Sequence, residues 1–495
     1  MKVNHLFDGL MDARVASDKS VIQVAGGRNW SYAQLIALSG QLAQLLVDSG
    51  VKPGDRVAVQ ALKSVEVLAL YLATIRVGAA FLPLNTAYTR SEIDYFINDA
   101  EPTVFVVSPG NDSEFSAELR VFTLDGAGQG SVIDACKSLS PDFANVARGA
   151  EDLAAILYTS GTTGLSKGAM LSHGNLLSNT QVLVEYWHFD ENDVLLHALP
   201  IFHTHGLFVA CNVIFMANAS MIFLPKFDPE LVLQELPNAT TMMGVPTFYT
   251  RLLASDAFTR ERVAHMRLFT SGSAPMLAET HIQFEQRTGQ RILERYGMTE
   301  TNMNTSNPYS GDRRAGTVGV ALPGIQVRVV DVENGKPLDD DSIGMIEVCG
   351  PNLFLGYWCK PEKTAEDMRD DGFFITGDLG RFDIDGYLHI VGRNKDLIIS
   401  GGYNIYPKEI ETEIDLLVGV VESAVFAITD PDLGEKVAAA VVLESANAWD
   451  EKTLVASLES KLARFKHPRR VIFVDELPRN TMGKVQKNQL RETYR

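Results

Sequence analysis

The segment Tyr158-Thr-Ser-Gly-Thr-Thr-Gly-Leu-Ser-Lys-Gly-Ala169 gathers three glycines, a run of hydroxyls and one lysine directly after the apolar run 153–157. A strand that stops at such a loop leaves backbone N–H groups free, with hydroxyls and a cation beside them. Glycines allow close backbone approach and positive φ, so the natural guest is a polyphosphate. Thr159, Ser160, Gly161, Thr162, Thr163, Gly164 and Lys167 are therefore candidate nucleotide ligands. The spacing departs from the Walker loop, because Ser166 stands where that loop would place its second glycine after Gly161. A plain surface turn is the rival reading of any Gly/Ser/Thr cluster.

Such a loop needs a frame. At 495 residues the chain exceeds the ~250–300 residues that one core organises, so at least two domains are expected. Acidic residues outnumber basic ones 62 to 44, a net charge of −18 that argues against nucleic acid or an anionic membrane as partner. An acidic protein that binds anions must then concentrate its cations at the site. No run reaches the roughly 18 apolar residues needed to span a bilayer. The best stretch, 65–84, contains Glu66 and Arg76 and reads as a core helix running into a strand. The N-terminus lacks the apolar run of a secretion signal. Cys136, Cys211, Cys349 and Cys359 have no metal-ligand spacing, so reduced, buried thiols in a cytoplasmic protein are expected.

The first half alternates helical patterns (30–50) with β-branched runs (56–60, 103–107, 221–224 and 268–270), as in parallel sheets covered by helices. From Gly324 denser strands (326–330 and 345–348) suggest an antiparallel subdomain. After the strand 388–391, Gly392-Arg-Asn-Lys-Asp396 reads as a polar joint. Beyond it, helices near 407–416 and 452–465 and strands near 423–428 and 437–442 describe a small α+β unit. The expected fold is α/β. A large N-terminal body (1–393) of parallel α/β subdomains plus a β-rich subdomain carries a small mobile α+β C-terminal domain (394–495).

Five further segments carry chemistry. They are Leu199-Pro-Ile-Phe-His-Thr-His-Gly206, Ser271-Gly-Ser-Ala-Pro275, Glu294-Arg-Tyr-Gly-Met-Thr-Glu300, Thr376-Gly-Asp378 with Gly392-Arg393, and Asn480-Thr-Met-Gly-Lys484. Their order and spacing resemble the adenylate-forming superfamily of acyl-CoA synthetases, peptide-synthetase adenylation domains and luciferases, over essentially the whole chain. The resemblance implies ATP and CoA as co-substrates and Mg²⁺ as cofactor. A free carboxylate resists attack because its leaving group would be an oxide. AMP transfer creates a mixed anhydride that a thiol displaces, and charge grows on the α-phosphate during the first step.

Residue by residue, the resemblance implies that Lys484 reaches the carboxylate and α-phosphate, and that Glu300, with Thr159, holds Mg²⁺. It places Asp378 on the ribose hydroxyls, Arg393 by ribose or phosphate, and Tyr296 on adenine. Gly272, Ser273, Ala274, Glu294, Arg295, Gly297, Met298 and Thr299 line the nucleotide. Lys395 takes the hinge position, so that rotation exchanges Lys484 for Ser400, Gly401, Gly402 and Tyr403, which face pantetheine. It also implies that acylation of Lys484 regulates the enzyme, making a lysine acetyltransferase and deacetylase its partners.

Residues beyond the shared motifs address the acid. Gly244-Val-Pro-Thr-Phe-Tyr-Thr-Arg251 places an arginine beside the acyl site, where an unpaired charge is unfavourable unless the substrate carries a second carboxylate. With His203, His205 and Ser271, Arg251 forms the expected substrate set. The whole chain, including 301–308, resembles bacterial malonyl-CoA synthetases, which implies a small dicarboxylate, malonate or methylmalonate. A short-chain or aryl acid is the alternative, a non-catalytic nucleotide binder the rival, and Arg251 as a solvent-facing helix arginine stays open.

Overall fold

The computed structural model describes residues 3–11, 17–111, 115, 119–159, 166–400, 403–431, 433–445, 449–480 and 483–495. Two large sheets form the body. One has seven strands, with Arg56–Gln60 central and parallel to Ala80–Pro83 and Val104–Val107. The loop-bearing hairpin Leu153–Thr159 and Lys167–Ser172 sits toward one edge of this sheet. The other has nine strands and a parallel centre that includes Val194–His197, Thr241–Gly244, Leu268–Ser271 and Leu293–Met298. Parallel strands buried on both faces read as continuous apolar runs, which is what 103–107 and 221–224 show.

The stretch 65–84 behaves as its sequence implies. Ser64 caps the helix Val65–Val77, Gly78 ends it at φ 80°, and Ala80–Pro83 enters the sheet. The helix Tyr32–Asp48 starts in a capping box of Ser31 and Gln34.

A four-stranded antiparallel sheet follows, made of Gln326–Val330, Gly344–Cys349, Phe374–Phe382 and Leu388–Arg393. Beyond it a five-stranded sheet, with Val420–Asp430 and Gly434–Leu443 at its heart, encloses cores built only from residues 398–494. The expected helix 452–465 is shorter, Glu451–Ser457. Its last turns tighten into i→i−3 bonds, and Leu454, Leu458 and Leu462 stay buried. The thiol expectation also needs correcting at two positions. All four cysteines are free, but Cys359 is exposed and Cys349 only part-buried. Among the described residues no helix is long and apolar enough to cross a membrane.

Candidate active site

Thr159 ends the strand that feeds the phosphate loop, while Ser160, Gly161, Thr162, Thr163 and Gly164 lie outside the described residues. Its hydroxyl donates to Glu300 Oε1 at 3.4 Å, and the Tyr357 hydroxyl donates to the same oxygen at 3.1 Å. Burial raises the Glu300 pKa, opposed by its backbone hydrogen bond, Tyr357, Lys167 and Arg393. Lys167 is buried, 4.1 Å over the Tyr357 ring and 3.6 Å from Asp367 Oδ2. Its charge is therefore already engaged by Tyr357 and Asp367. Tyr357 and Asp367 carried no sequence signal, since an aromatic and an acid in a turn-rich stretch are ordinary.

Asp378 lies opposite Arg393 on neighbouring strands, and Arg393 Nε is 3.1 Å from Asp378 Oδ1. The Tyr296 hydroxyl donates to Asp378 Oδ2 at 2.7 Å, and the Asp378 N–H donates to Thr376 Oγ1 at 3.1 Å. Burial and the Asp378 charge hold the Tyr296 hydroxyl protonated. Gly297 must be glycine, because a Cβ there would stand 1.8 Å from the Asn302 carbonyl oxygen. From Gly297 the chain runs through Met298 and Thr299 to Glu300. Glu294 departs from its expected place: its carboxylate is 3.0 Å from His281 Nδ1 of the helix Ala278–Thr288, a buried pair inside the body.

The turn Gly272-Ser-Ala274 follows Leu268–Ser271 and leads to a second group of buried polar side chains. Ser273 takes φ 68° and its hydroxyl is 3.1 Å from His205 Nδ1. His205 opens the π-helix His205–Cys211, a geometry that recurs at functional sites. Beside it lies Arg295, 2 % exposed, whose three guanidinium nitrogens have no hydrogen-bond partner within the protein. His205 Nε2, Ser271 Oγ and Thr204 Oγ1 are likewise buried and unpartnered. Burial lowers the Arg295 pKa to about 9, with Tyr249 opposing. Burial and the Arg295 charge push His205 well below the usual imidazole range, and burial takes His203 down to about 4. Both rings are neutral at pH 7. A buried cation without a counter-ion is costly, so this pocket has the charge and free donors to receive an anion.

Arg251 is not that cation. It sits on the exposed face of the helix Pro246–Leu253, whose buried residues are Phe248, Tyr249 and Leu252. Helical periodicity turns Tyr249 inward, toward Arg295, and Arg251 outward. Arg251→Ala should leave the KM for the acid within about twofold in ATP–diphosphate exchange, as for surface substitutions generally.

The C-terminal unit meets the body near Thr247, Asp378 and Arg393. Gly483, at φ 74°, lies so near Thr247 that a Cβ would be 3.4 Å from its hydroxyl. The Lys484 N–H donates to Asn480 Oδ1 at 2.9 Å. Burial, Arg393 and Lys395 lower its ammonium pKa to about 8 against the pull of Asp378 and Asp396. Lys395 is lowered too, chiefly by burial and then by Arg393. Arg491 of the last helix ties down Asp396 at 2.9 Å. Ser400 is buried, and Tyr403 is 58 % exposed with its ring stacked 4.7 Å from Phe465. Gly401 and Gly402 lie outside the described residues.

Residues 11–358 match the AMP-binding enzyme family and 409–484 match the AMP-binding enzyme C-terminal domain. The chain belongs to this adenylate-forming superfamily and is an AMP-forming acid–thiol ligase. It is 59% identical to MatB from Rhodopseudomonas palustris, covering 100% of this chain and 99% of that one; the TM-score is 0.98 to the ATP-bound crystal structure. Against apo MatB, with the same identity and coverage, it is 0.87. The malonate–CoA ligase of Arabidopsis thaliana is 34% identical over 97% of this chain and 87% of its own length. The feruloyl-CoA synthase of Amycolatopsis sp is 36% identical over 95% of each chain.

Proposed function

We propose that the enzyme joins malonate to CoA through malonyl-AMP. The observation that carries this reading is the buried, unpartnered guanidinium of Arg295, flanked by free donors of His205 and Ser271. A fatty or aryl tail would leave that charge uncompensated, whereas a second carboxylate pairs with it bidentately. The similarity to MatB and to a malonate–CoA ligase supports the same acid. Methylmalonate adds one methyl to the carbon between the carboxylates and is the second acid in this reading.

One carboxylate oxygen attacks the ATP α-phosphorus, the bond to the β-phosphate bridge oxygen breaks, and diphosphate leaves. The CoA thiolate then attacks the acyl carbon, expelling AMP. Lys484 offsets the charge on the α-phosphate and the entering carboxylate. Asp378 accepts from the ribose hydroxyls, Arg393 neutralises phosphate, and His203 borders the reacting carboxylate. Glu300 fits Mg²⁺: it is a buried oxygen ligand oriented by Tyr357 and Thr159, and this hard cation takes its remaining ligands from phosphate and water. Bound there, Mg²⁺ would neutralise phosphate charge.

Arg393 and Asn394 mark the boundary between the two domains, and rotation about Lys395 replaces Lys484 by the segment Ser400–Tyr403 for thiolysis. Acetylation of Lys484 would remove its charge and block the first half-reaction. Mass spectrometry of cell-derived protein tests whether it occurs.

ATP–diphosphate exchange with malonate, methylmalonate, butyrate and benzoate tests the assignment. Malonate should exceed butyrate by about 10³-fold in kcat/KM, since a site built around polar groups rejects a substrate that leaves them unpaired. Equal exchange with butyrate or benzoate would sink the dicarboxylate reading.

A further inference from the structure

Lys63 follows the strand Arg56–Gln60 of the seven-stranded sheet, and His197 ends the strand Val194–His197 of the nine-stranded sheet. The Lys63 ammonium bridges them, 2.8 Å from His197 Nδ1 and 2.9 Å from the His197 carbonyl oxygen. It also lies 4.2 Å from the centre of the Phe223 ring. On the other side of the imidazole, Nε2 is 2.8 Å from the Gly206 carbonyl oxygen. The Cys211 thiol approaches the same oxygen at 3.1 Å.

A carbonyl oxygen only accepts, so Nε2 carries the ring proton. The neutral ring then keeps its lone pair on Nδ1, where only a donor fits, and Lys63 is that donor. Gly206 stands at the start of the π-helix, immediately after His205. It is pressed so close to the preceding segment that a Cβ would be 2.0 Å from the Pro200 carbonyl oxygen. With Pro200 on one side and His197 on the other, Gly206, the residue directly after His205, is held in one place.

We propose that Lys63, acting through His197 and the Gly206 carbonyl, is a positioning residue for His205 and so for the acid pocket. This rests on the reading of Arg295 and His205 as that pocket. Burial bears on both partners of the tie. It lowers Lys63 to about 7 against the pull of Cys211, and it holds His197, beside Lys63, well below the usual imidazole range.

The test is exchange kinetics of Lys63→Met, His205→Ala and the double variant, with the acid that the wild type uses best. Lys63→Met should raise the acid KM about tenfold, the scale of a lost buried charged hydrogen bond, and change the ATP KM by less than about twofold. It should add nothing in the His205→Ala background. His197→Gln, which keeps an N–H donor, should stay within about threefold of wild type, while His197→Leu should match Lys63→Met. Multiplicative effects in the double variant, an unchanged acid KM, or equal losses for ATP and acid overturn the proposal. If Lys63→Met fails to fold by circular dichroism, the His197 pair decides: a Leu variant as good as the Gln variant overturns it. A wrong acid assignment would show instead as a different best substrate, leaving these comparisons intact.

Discussion

Lys484→Ala should abolish acyl-adenylate formation, with a loss of about 10³-fold in exchange, the scale of removing one electrostatic stabiliser of a developing charge. Thiolysis of preformed malonyl-AMP should survive, because that step is assigned to the domain pose with Lys484 swung away. Single-turnover measurements of each half-reaction separate the two, and an equal loss in both would refute the division of labour. Direction with pH follows from the same residue. Lys484 is lowered to about 8, so it is charged below that pH and loses its proton above it. Adenylation should fall as pH rises past 8 in the wild type, and the alanine variant should lack that limb.

Arg295→Leu should cost malonate about 10²- to 10³-fold in kcat/KM, because truncating one partner of a buried charge pair leaves the other uncompensated. Exchange with butyrate should hold steady or improve in the same variant. The ligand-free protein should also melt higher than wild type, since an unpaired buried cation is replaced by an apolar side chain. Calorimetry with and without malonate checks both halves. A variant that loses ATP affinity along with malonate would return Arg295 to the nucleotide side.

These expectations mark what residue order conveys and what it hides. Strands such as Arg56–Gln60 and Leu268–Ser271 were legible because buried parallel strands are written as short apolar runs between turn residues. The polar stretch 392–396 falls between the four-stranded sheet and the five-stranded one. The acid's counter-charge was expected at Arg251, whereas the function proposed above puts it at Arg295. Attention to the unusual residue, Arg251, missed the arginine inside the Glu294–Glu300 segment, whose neighbour Tyr296 drew it to the nucleotide.

Strand alternation held the missing signal. In Leu293–Met298, side chains 295 and 296 leave opposite faces, so an arginine beside a nucleotide-facing tyrosine points elsewhere. No such rule predicts the pairing of Glu294 with His281, which depends on how the helix Ala278–Thr288 packs. Nor does local sequence bring Lys63 to His197, which requires two sheets to meet.

Gly272 lies hard against the guanidinium to which the proposed function gives the acid. A β-carbon on it would stand 2.4 Å from Arg295 Nη1, so any side chain there would push that group aside. Under the proposed function, room for bulkier acids would therefore have to come from the π-helical turn that starts at His205 and not from position 272.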